Sequence, residues 1–146
     1  LGDALLLVHD TPALHESAYV HEVDHAVEAF ASLDEGICLH GHTHLPTIFS
    51  TPNGEATTES ILFQIPTDGN QVVLDPMQRH LCNPGSVGQP RDADPRASFA
   101  LLEYTSPDAE ALFTLHRTEY DIAAAQEATE KAGLPTILAE RLSLGA

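Results

Sequence analysis

The first third of the chain combines short apolar runs with one amphipathic stretch. Residues 4–8 read Ala-Leu-Leu-Leu-Val, a continuous apolar run typical of a strand that is buried on both faces. Residues 13–33 have helical periodicity, with Pro12 placed to open the helix and Gly36 to stop it. The apolar positions of that helix are Val20, Val23, Val27 and Phe30. Residues 37–39 form the next apolar run, so the pattern predicts a strand, a helix and a strand of an α/β sheet.

The pattern changes after Pro46, where short β-branched or apolar pieces alternate with turn signals. Turn residues cluster at 51–54, 66–70 and 75–76, and they predict hairpin connections. The pieces between and after them predict a largely antiparallel second sheet, with strands at 61–65, 72–74, 80–82, 98–104 and 111–116. An Ala-rich helix over 122–132 is expected to stop at Gly133, and a last short helix should reach Leu142.

Histidines follow the two predicted strands of the first segment. His9 comes directly after the run at 4–8, and residues 39–46 read Leu-His-Gly-His-Thr-His-Leu-Pro. Neutral imidazole is the commonest ligand of transition metals, and a glycine turn can present His42 and His44 together. The sequence therefore predicts a metal site at the carboxyl edge of the sheet. His40, at the end of the strand, is expected to pack or to support the ligands.

The order of the following segments makes this signal more specific. Residues 41–44 (Gly-His-Thr-His) are followed by Leu-Cys-Asn-Pro-Gly-Ser-Val-Gly-Gln-Pro-Arg-Asp at 81–92 and Asp-Pro-Arg-Ala-Ser-Phe-Ala-Leu-Leu-Glu at 94–103. This order resembles the calcineurin-like metallophosphoesterases, most closely the bacterial and archaeal branch related to diadenosine tetraphosphatases and small phosphodiesterases. The resemblance covers the second half of the family pattern, because the Asp-x-His, Gly-Asp and Gly-Asn-His motifs do not occur before His9.

The resemblance implies a two-sheet β-sandwich flanked by helices, in four layers α/β/β/α, of which residues 1–146 would be the C-terminal part. It makes His9 and His42 ligands of one ion and His44 a ligand of another. The expected cofactors are two divalent transition-metal ions, Mn, Fe, Ni or Zn. The bridging carboxylate, the Asn ligand and the catalytic His would belong to the N-terminal half of the same protein, or a second chain would complete the site.

The implied activity is hydrolysis of phosphomonoester, phosphodiester or dinucleoside polyphosphate bonds, and this chain alone is expected to be inactive. Asp10 stands where the family usually has Gly, and we interpret it as a turn cap. Arg91 could contact the phosphate-ester substrate, and so could Arg96, although ion pairs with Asp92, Asp94 or Glu103 are the more ordinary role. Residues 83–85 (Asn-Pro-Gly) are expected to shape a tight turn.

Two other classes of function compete with this hypothesis. Residues 21–25 read His-Glu-Val-Asp-His, which matches the zinc peptidase pattern His-Glu-x-x-His. Helical spacing places His21 and His25 opposite the apolar stripe, so they are expected to face solvent and this hypothesis is disfavoured. The other alternative is a noncatalytic binding module or subunit on the same fold.

Composition limits the possible partners and the location. The formal charge is −16, and Lys131 is the only lysine among six basic residues. The acidic charge argues against nonspecific binding to nucleic-acid phosphates, and metal charge would have to attract a phosphate substrate. Cys38 and Cys82 are expected to be buried free thiols. No signal peptide or membrane-length apolar stretch is recognisable, which predicts a cytoplasmic protein without membrane association.

Overall fold

The computed structural model describes residues 5–12 and 19–146. The eight strands of this part are β1 Leu5–Leu7, β2 Ile37–Leu39, β3 Pro46–Pro52, β4 Leu62–Gln64, β5 Gln71–Leu74, β6 Gln78–Pro84, β7 Ala97–Glu103 and β8 Ala111–Thr118. The helices are α1 Val23–Ala31, α2 Ile122–Lys131 and α3 Thr136–Glu140, and a 3₁₀ turn over Arg141–Ser143 follows α3.

The strands form two sheets. The first has the order β1-β2-β6-β3-β4, and the second has the order β5-β8-β7. Strands β1, β2 and β6 run parallel, whereas β3 joins β6 and β4 in antiparallel pairs. Because Leu7 pairs with Leu39 and Leu39 with Cys82, the three parallel strands end side by side. The loops that follow them therefore meet at one edge of the sheet.

Alternation along the first sheet divides its side chains between two cores. Cys38, Phe49 and Leu81 pack with α1 residues such as Phe30 on one face. Their neighbours in sequence point to the opposite face and pack against the second sheet: Ile37, Ile48 and Cys82 meet Leu74, Phe113 and Leu115. This period of two is the geometry of an extended strand, and it makes the first sheet the central layer between a helix and the second sheet.

The first predicted elements exist, but two of their details were wrong. β1 lies at the edge of its sheet within the described chain, and Leu7 is 64% exposed, so the run is not buried on both faces. The helix covers only Val23–Ala31 and ends at Ser32, not at Gly36. Val20 is buried but precedes the helix. The expected helical stretch at 13–18 falls outside the described residues.

The second predicted sheet was too large. Residues 61–65 and 80–82 contribute to β4 and β6, which belong to the first sheet, and β3 was not predicted at all. The turns at 66–70 and 75–76 connect strands of different sheets, so they do not close hairpins. A run of alternating residues specifies a strand but not its neighbour, because pairing depends on distant parts of the chain.

Two further sequence predictions concern thiols and membranes. Cys38 and Cys82 are free and fully buried, as predicted. Cys38 and Cys82 lie on neighbouring strands, but their side chains point to opposite faces of the sheet, so each thiol packs in a different core. In the part of the chain that the structure describes, no helix combines the length and the apolar character needed to cross a bilayer.

Candidate metal centre

The candidate site is built from the loops that follow the three parallel strands. The amide of Val8 donates to the carbonyl oxygen of Leu39 at 3.1 Å, and the amide of His40 donates to that of Cys82 at 3.0 Å. Beyond the strands, the amide of Gly41 donates to the carbonyl oxygen of His9 at 2.9 Å. The ladder thus continues past the sheet edge and brings His9 next to the loop that carries the other histidines.

The backbone of this loop is unusual at both candidate ligands. His42 has a φ of 65° and His44 a φ of 62°, which is the left-handed region that few residues other than glycine adopt, His, Asn and Asp more often than most. Such conformations cost about 1–3 kcal/mol each and persist only where the surroundings enforce them. His42 and His44 therefore lie in a loop beyond the end of β2 and not in an extended continuation of that strand.

Asn83, at the end of β6, enforces this loop conformation. Its side-chain amide donates to the carbonyl oxygen of Gly41 at 2.8 Å and to the hydroxyl of Thr43 at 2.9 Å. Its side-chain oxygen accepts from the amide of Gly85 at 2.9 Å. Asn83 and Thr43 are buried, so these bonds replace water that cannot reach them. The predicted turn at 83–85 is confirmed, but the bracing of the histidine loop was not predicted.

His9 and His42 bring two ring nitrogens close together. His42 Nδ1 and His9 Nε2 are 3.2 Å apart, and the rings meet edge to face with centroids 5.1 Å apart. Two nitrogens that bind one ion at about 2.0–2.1 Å with angles near 90–110° lie roughly 2.8–3.4 Å from each other. The spacing fits two ligands of a single ion. The ring of Tyr19 lies 4.4 Å from that of His42 and is a neighbour that the sequence did not reveal.

His44 has a fixed ring orientation. Its Nδ1 lies 2.7 Å from the carbonyl oxygen of Gln89, and a carbonyl can only accept, so Nδ1 carries the proton. Nε2 then has a free lone pair, which is the arrangement of most metal-binding histidines. Burial lowers the pKa of His44, the bond to Gln89 opposes this, and the charges of Arg91 and Arg141 lower it further. The neutral form that a metal requires is thereby favoured.

His40 lies beneath this loop and is only 3% exposed. Burial lowers its pKa to about 4, although the backbone of Gly41 and Asp10 partly opposes the shift. Its ring therefore stays neutral at physiological pH, in agreement with the predicted packing role. Asp10 is also engaged locally, since its carboxylate accepts from the amide of Thr11 at 2.8 Å. An Asx cap accepts from the amide two residues on, so this bond to the next residue does not test the turn-cap role, which stays a prediction.

The three histidines do not form a complete metal site by themselves. Among residues 5–12 and 19–146, no group of three or more His, Cys, Asp or Glu side chains is arranged to hold a metal ion. The donors that are present suit a transition metal, because His9 and His42 have the right spacing and His44 has a free nitrogen. Additional ligands would be needed to complete the coordination of one or two ions.

The arginines after the Asn-Pro-Gly turn differ from each other. Arg96 pairs with Asp94 and Asp68 at 2.7 Å each, which confirms the structural role expected for it. Arg91 makes no carboxylate ion pair in the described chain; it donates to the side chain of Gln89 at 3.1 Å. The Nε of Arg91 is buried without a hydrogen-bond partner there. The ion pair expected for Arg91 was therefore wrong, and its guanidinium lies beside the His44 loop.

The peptidase motif lacks the required geometry. His21 precedes α1, Glu22 is its N-cap, and only His25 lies within the helix. The two rings are 4.8 Å apart, and His21 Nε2 is 3.7 Å from a carboxylate oxygen of Glu22. His21 is exposed as predicted, but His25 is half-buried, so it does not face solvent fully. His21 and His25 differ in exposure because the helix begins two residues after His21, so only His25 lies on it.

Comparison with known proteins identifies the fold family. The sequence model of one protein family, the calcineurin-like phosphoesterase superfamily domain, matches residues 1–107 of this chain. The chain belongs to this superfamily. The predicted resemblance is confirmed, and so is the mixed α/β fold with two sheets and flanking helices, which is similar to a solved metallophosphoesterase.

Two relatives define how much of such a protein this chain represents. It is 35% identical over 105 residues to the protein MJ0912 of Methanocaldococcus jannaschii, a match that covers 72% of this chain and 37% of MJ0912. The crystal structure of a metallophosphoesterase from Sphaerobacter thermophilus is 37% identical and has a TM-score of 0.79. That match covers 97% of this chain and 55% of the solved chain. The chain thus spans about half of one relative and less of the other.

Proposed function

We propose that this protein is a metal-dependent phosphoesterase with a dinuclear site, acting on phosphomonoester, phosphodiester or dinucleoside polyphosphate bonds. The observation that carries the proposal is the arrangement of His9, His42 and His44 at the ends of parallel strands. Two of these rings present nitrogens 3.2 Å apart, and the third has its Nδ1 occupied by a backbone carbonyl. Membership of the phosphoesterase superfamily supports the reaction class.

Each residue has a distinct part in this proposal. His9 and His42 would hold one ion and His44 the other, while Asn83 keeps the loop in the conformation that presents the rings. Divalent Mn, Fe, Ni or Zn bound there would activate water and neutralise the charge that develops on the phosphoryl oxygens. Arg91, which has no carboxylate partner in the described residues, would bind a phosphate oxygen through its planar fork.

The remaining ligands must include anions. The three histidines are neutral donors, and two divalent ions a few ångströms apart would repel each other without a bridging carboxylate or hydroxide. We therefore propose that residues 1–146 form the C-terminal part of one domain. The N-terminal half of the same protein, or a second chain, would supply the carboxylates. By the same argument, the 146-residue chain alone should show no turnover with Mn²⁺.

The proposal is tested with His42→Ala and His44→Ala in the complete protein. Removing a ligand should abolish most bound metal and nearly all hydrolysis of bis(4-nitrophenyl) phosphate. His116→Ala is a matched control, since His116 lies on β8 and stacks on Phe99 in the other sheet. Metal analysis should give wild-type occupancy for this control.

Full metal occupancy in both loop variants would contradict the ligand assignment. Retained metal together with absent turnover on every phosphate ester would instead favour the noncatalytic binding module. Peptidase activity that requires His21 and His25 would support the third alternative, although their rings do not share a helical face.

A further inference from the structure

The two candidate ligands on the histidine loop differ in what holds their rings. The ring of His44 is fixed by the carbonyl oxygen of Gln89, which lies 2.7 Å from Nδ1. The Nδ1 of His42 faces His9 Nε2 at 3.2 Å, where a shared ion would bind, and no hydrogen bond within the described chain holds its other nitrogen. A metal-binding histidine is usually oriented through its second nitrogen. The ring of His42 must therefore be fixed by a different kind of contact.

The ring of Tyr19 makes such a contact. Its centroid lies 4.4 Å from that of His42, with an angle of 37° between the planes, so the two rings pack in a tilted stack. His9 meets the same imidazole edge to face, at 5.1 Å and 72°. The imidazole of His42 is thus bordered by two rings, one from the loop after β1 and one from the segment before α1.

Tyr19 is placed by its neighbour in sequence and not by its own burial. Val20 is only 2% exposed and packs with Phe30 in the core between α1 and the first sheet. Tyr19 itself is 42% exposed, so its ring adds little to that core. The next ring that it approaches, that of His21, is farther away, at 6.4 Å. The closest ring contact of Tyr19 in the described chain is therefore the one with His42.

We propose that Tyr19 is a positioning residue that keeps the imidazole of His42 oriented so that its Nδ1 and His9 Nε2 bind the same ion. This inference rests on the proposed phosphoesterase function for the ligand roles of His9 and His42. A side chain that is free to rotate loses entropy when it binds a ligand, and a ring that is already packed loses less. The aromatic ring carries this effect, because the hydroxyl of Tyr19 makes no hydrogen bond among the described residues. Tyr19 thereby raises the metal affinity without touching the ion.

The test compares Tyr19→Leu with Tyr19→Phe in the complete protein. Leucine keeps an apolar side chain but lacks the flat ring, whereas phenylalanine keeps the ring and lacks only the hydroxyl. Calorimetric titration with Mn²⁺ should show about tenfold weaker binding to Tyr19→Leu, the lower end of the effect of removing a residue that orients a ligand. Tyr19→Phe should bind Mn²⁺ as tightly as the wild type.

Phe99→Leu is the matched control for the loss of a ring. Phe99 is 39% exposed and stacks on His116 at 5.3 Å in the other sheet, so the change uncovers a histidine that is not a candidate ligand. Its Mn²⁺ affinity should equal that of the wild type. Denaturant titration of the metal-free proteins should give similar midpoints for Tyr19→Leu and Phe99→Leu. A midpoint of Tyr19→Leu well below that of the control, together with weaker Mn²⁺ binding, would assign Tyr19 a structural role and overturn the proposal.

The outcomes separate this inference from the proposed function. If Mn²⁺ binding depends on His42 and on the ring of Tyr19 but the wild type hydrolyses no phosphate ester, the proposed function fails and the role of Tyr19 stands. If His42→Ala loses metal while Tyr19→Leu binds Mn²⁺ as tightly as Phe99→Leu, the ligand assignment stands and the role of Tyr19 is wrong. The role is also wrong if Tyr19→Phe loses as much affinity as Tyr19→Leu, because the hydroxyl and not the ring would then be responsible.

Discussion

Two histidine pairs in this chain match metal-binding patterns, but their surroundings differ. His42 and His44 lie on a loop with left-handed backbone at both residues, and buried Asn83 holds this loop through hydrogen bonds to Gly41 and Thr43. His21 and His25 flank the start of α1, where Glu22 makes no side-chain cap and approaches His21 at 3.7 Å. The loop of the first pair is held by hydrogen bonds from Asn83 on β6 and from the carbonyl oxygen of Gln89. The ring of His21, by contrast, contacts Tyr19, Glu22 and His25.

The comparison shows what a ligand needs beyond its ring. His44 has a backbone carbonyl at Nδ1, which fixes its tautomer and leaves Nε2 available. Nδ1 of His25 is buried with no hydrogen-bond partner in the described residues, so nothing there orients its ring in the same way. The spacing of histidines in sequence therefore matters less than the groups that fix the second nitrogen.

The largest expected effect comes from removing the brace of the first pair. Asn83→Ala would leave the carbonyl of Gly41, the hydroxyl of Thr43 and the amide of Gly85 without their buried partner. We expect a loss of about 3–5 kcal/mol in the free energy of unfolding, and a metal affinity 10–100-fold weaker in the complete protein. Denaturant titration and metal-binding calorimetry measure the two effects.

Asn53→Ala is the control for this change, because Asn53 is exposed and should alter stability by no more than about 0.5 kcal/mol. If Asn83→Ala bound metal as tightly as the control, the loop would hold its conformation without the brace. The contrast between the two histidine pairs would then lose its physical basis.

Much of the fold could be predicted because strands and helices leave periodic patterns. The strand Ile37–Leu39, the hairpin strands β7 and β8 and the helix α2 all agree with their predicted positions to within three residues. β3 was missed because Pro46 and Pro52 delimit it and its center is a buried mixture of Thr, Ile, Phe and Ser. The assignment of strands to sheets failed for β4 and β6, since period-two patterns do not encode their partners.

The candidate site was only partly predictable. The candidate histidines are visible in the sequence because their spacing matches recognisable metal-binding motifs. Asn83 was predicted to shape a turn, and nothing local indicates that its amide reaches Gly41 from another strand. Tyr19 lies far from His42 in sequence, and only the tertiary structure brings its ring to this edge of the sheet.

A smaller effect is expected from the buried histidine beneath the first pair. The pKa of His40 falls from 6.5 to about 4 on folding, so between these values the unfolded chain binds more protons than the folded one. Stability should therefore decrease as the pH falls from 6.5 to about 4, by up to about 3 kcal/mol from this residue, and level off below. Unfolding of the metal-free protein at a series of pH values measures it.

His40→Leu should remove this share of the pH dependence while His44 and His80, whose pKa values are also lowered mainly by burial, retain theirs. Ser50→Ala is a useful control because it removes a hydrogen bond to His80 and leaves His40 untouched. An identical pH profile for wild type and His40→Leu would show that His40 does not titrate between these limits.

The smallest effect is expected from the second histidine pair itself. Replacing His21 and His25 together by Gln keeps polar side chains at an exposed and a half-buried position, so the free energy of unfolding should change by no more than about 0.5 kcal/mol. Metal content and phosphodiester hydrolysis of the complete protein should stay at wild-type levels, because neither ring contacts His9 or His44. Tyr19 is the residue between the two pairs, because its ring centroid lies 6.4 Å from that of His21 and 4.4 Å from that of His42. If the double variant lost metal while Tyr19→Phe did not, His21 or His25 would be part of the metal centre, and the two pairs would have to be treated as one site.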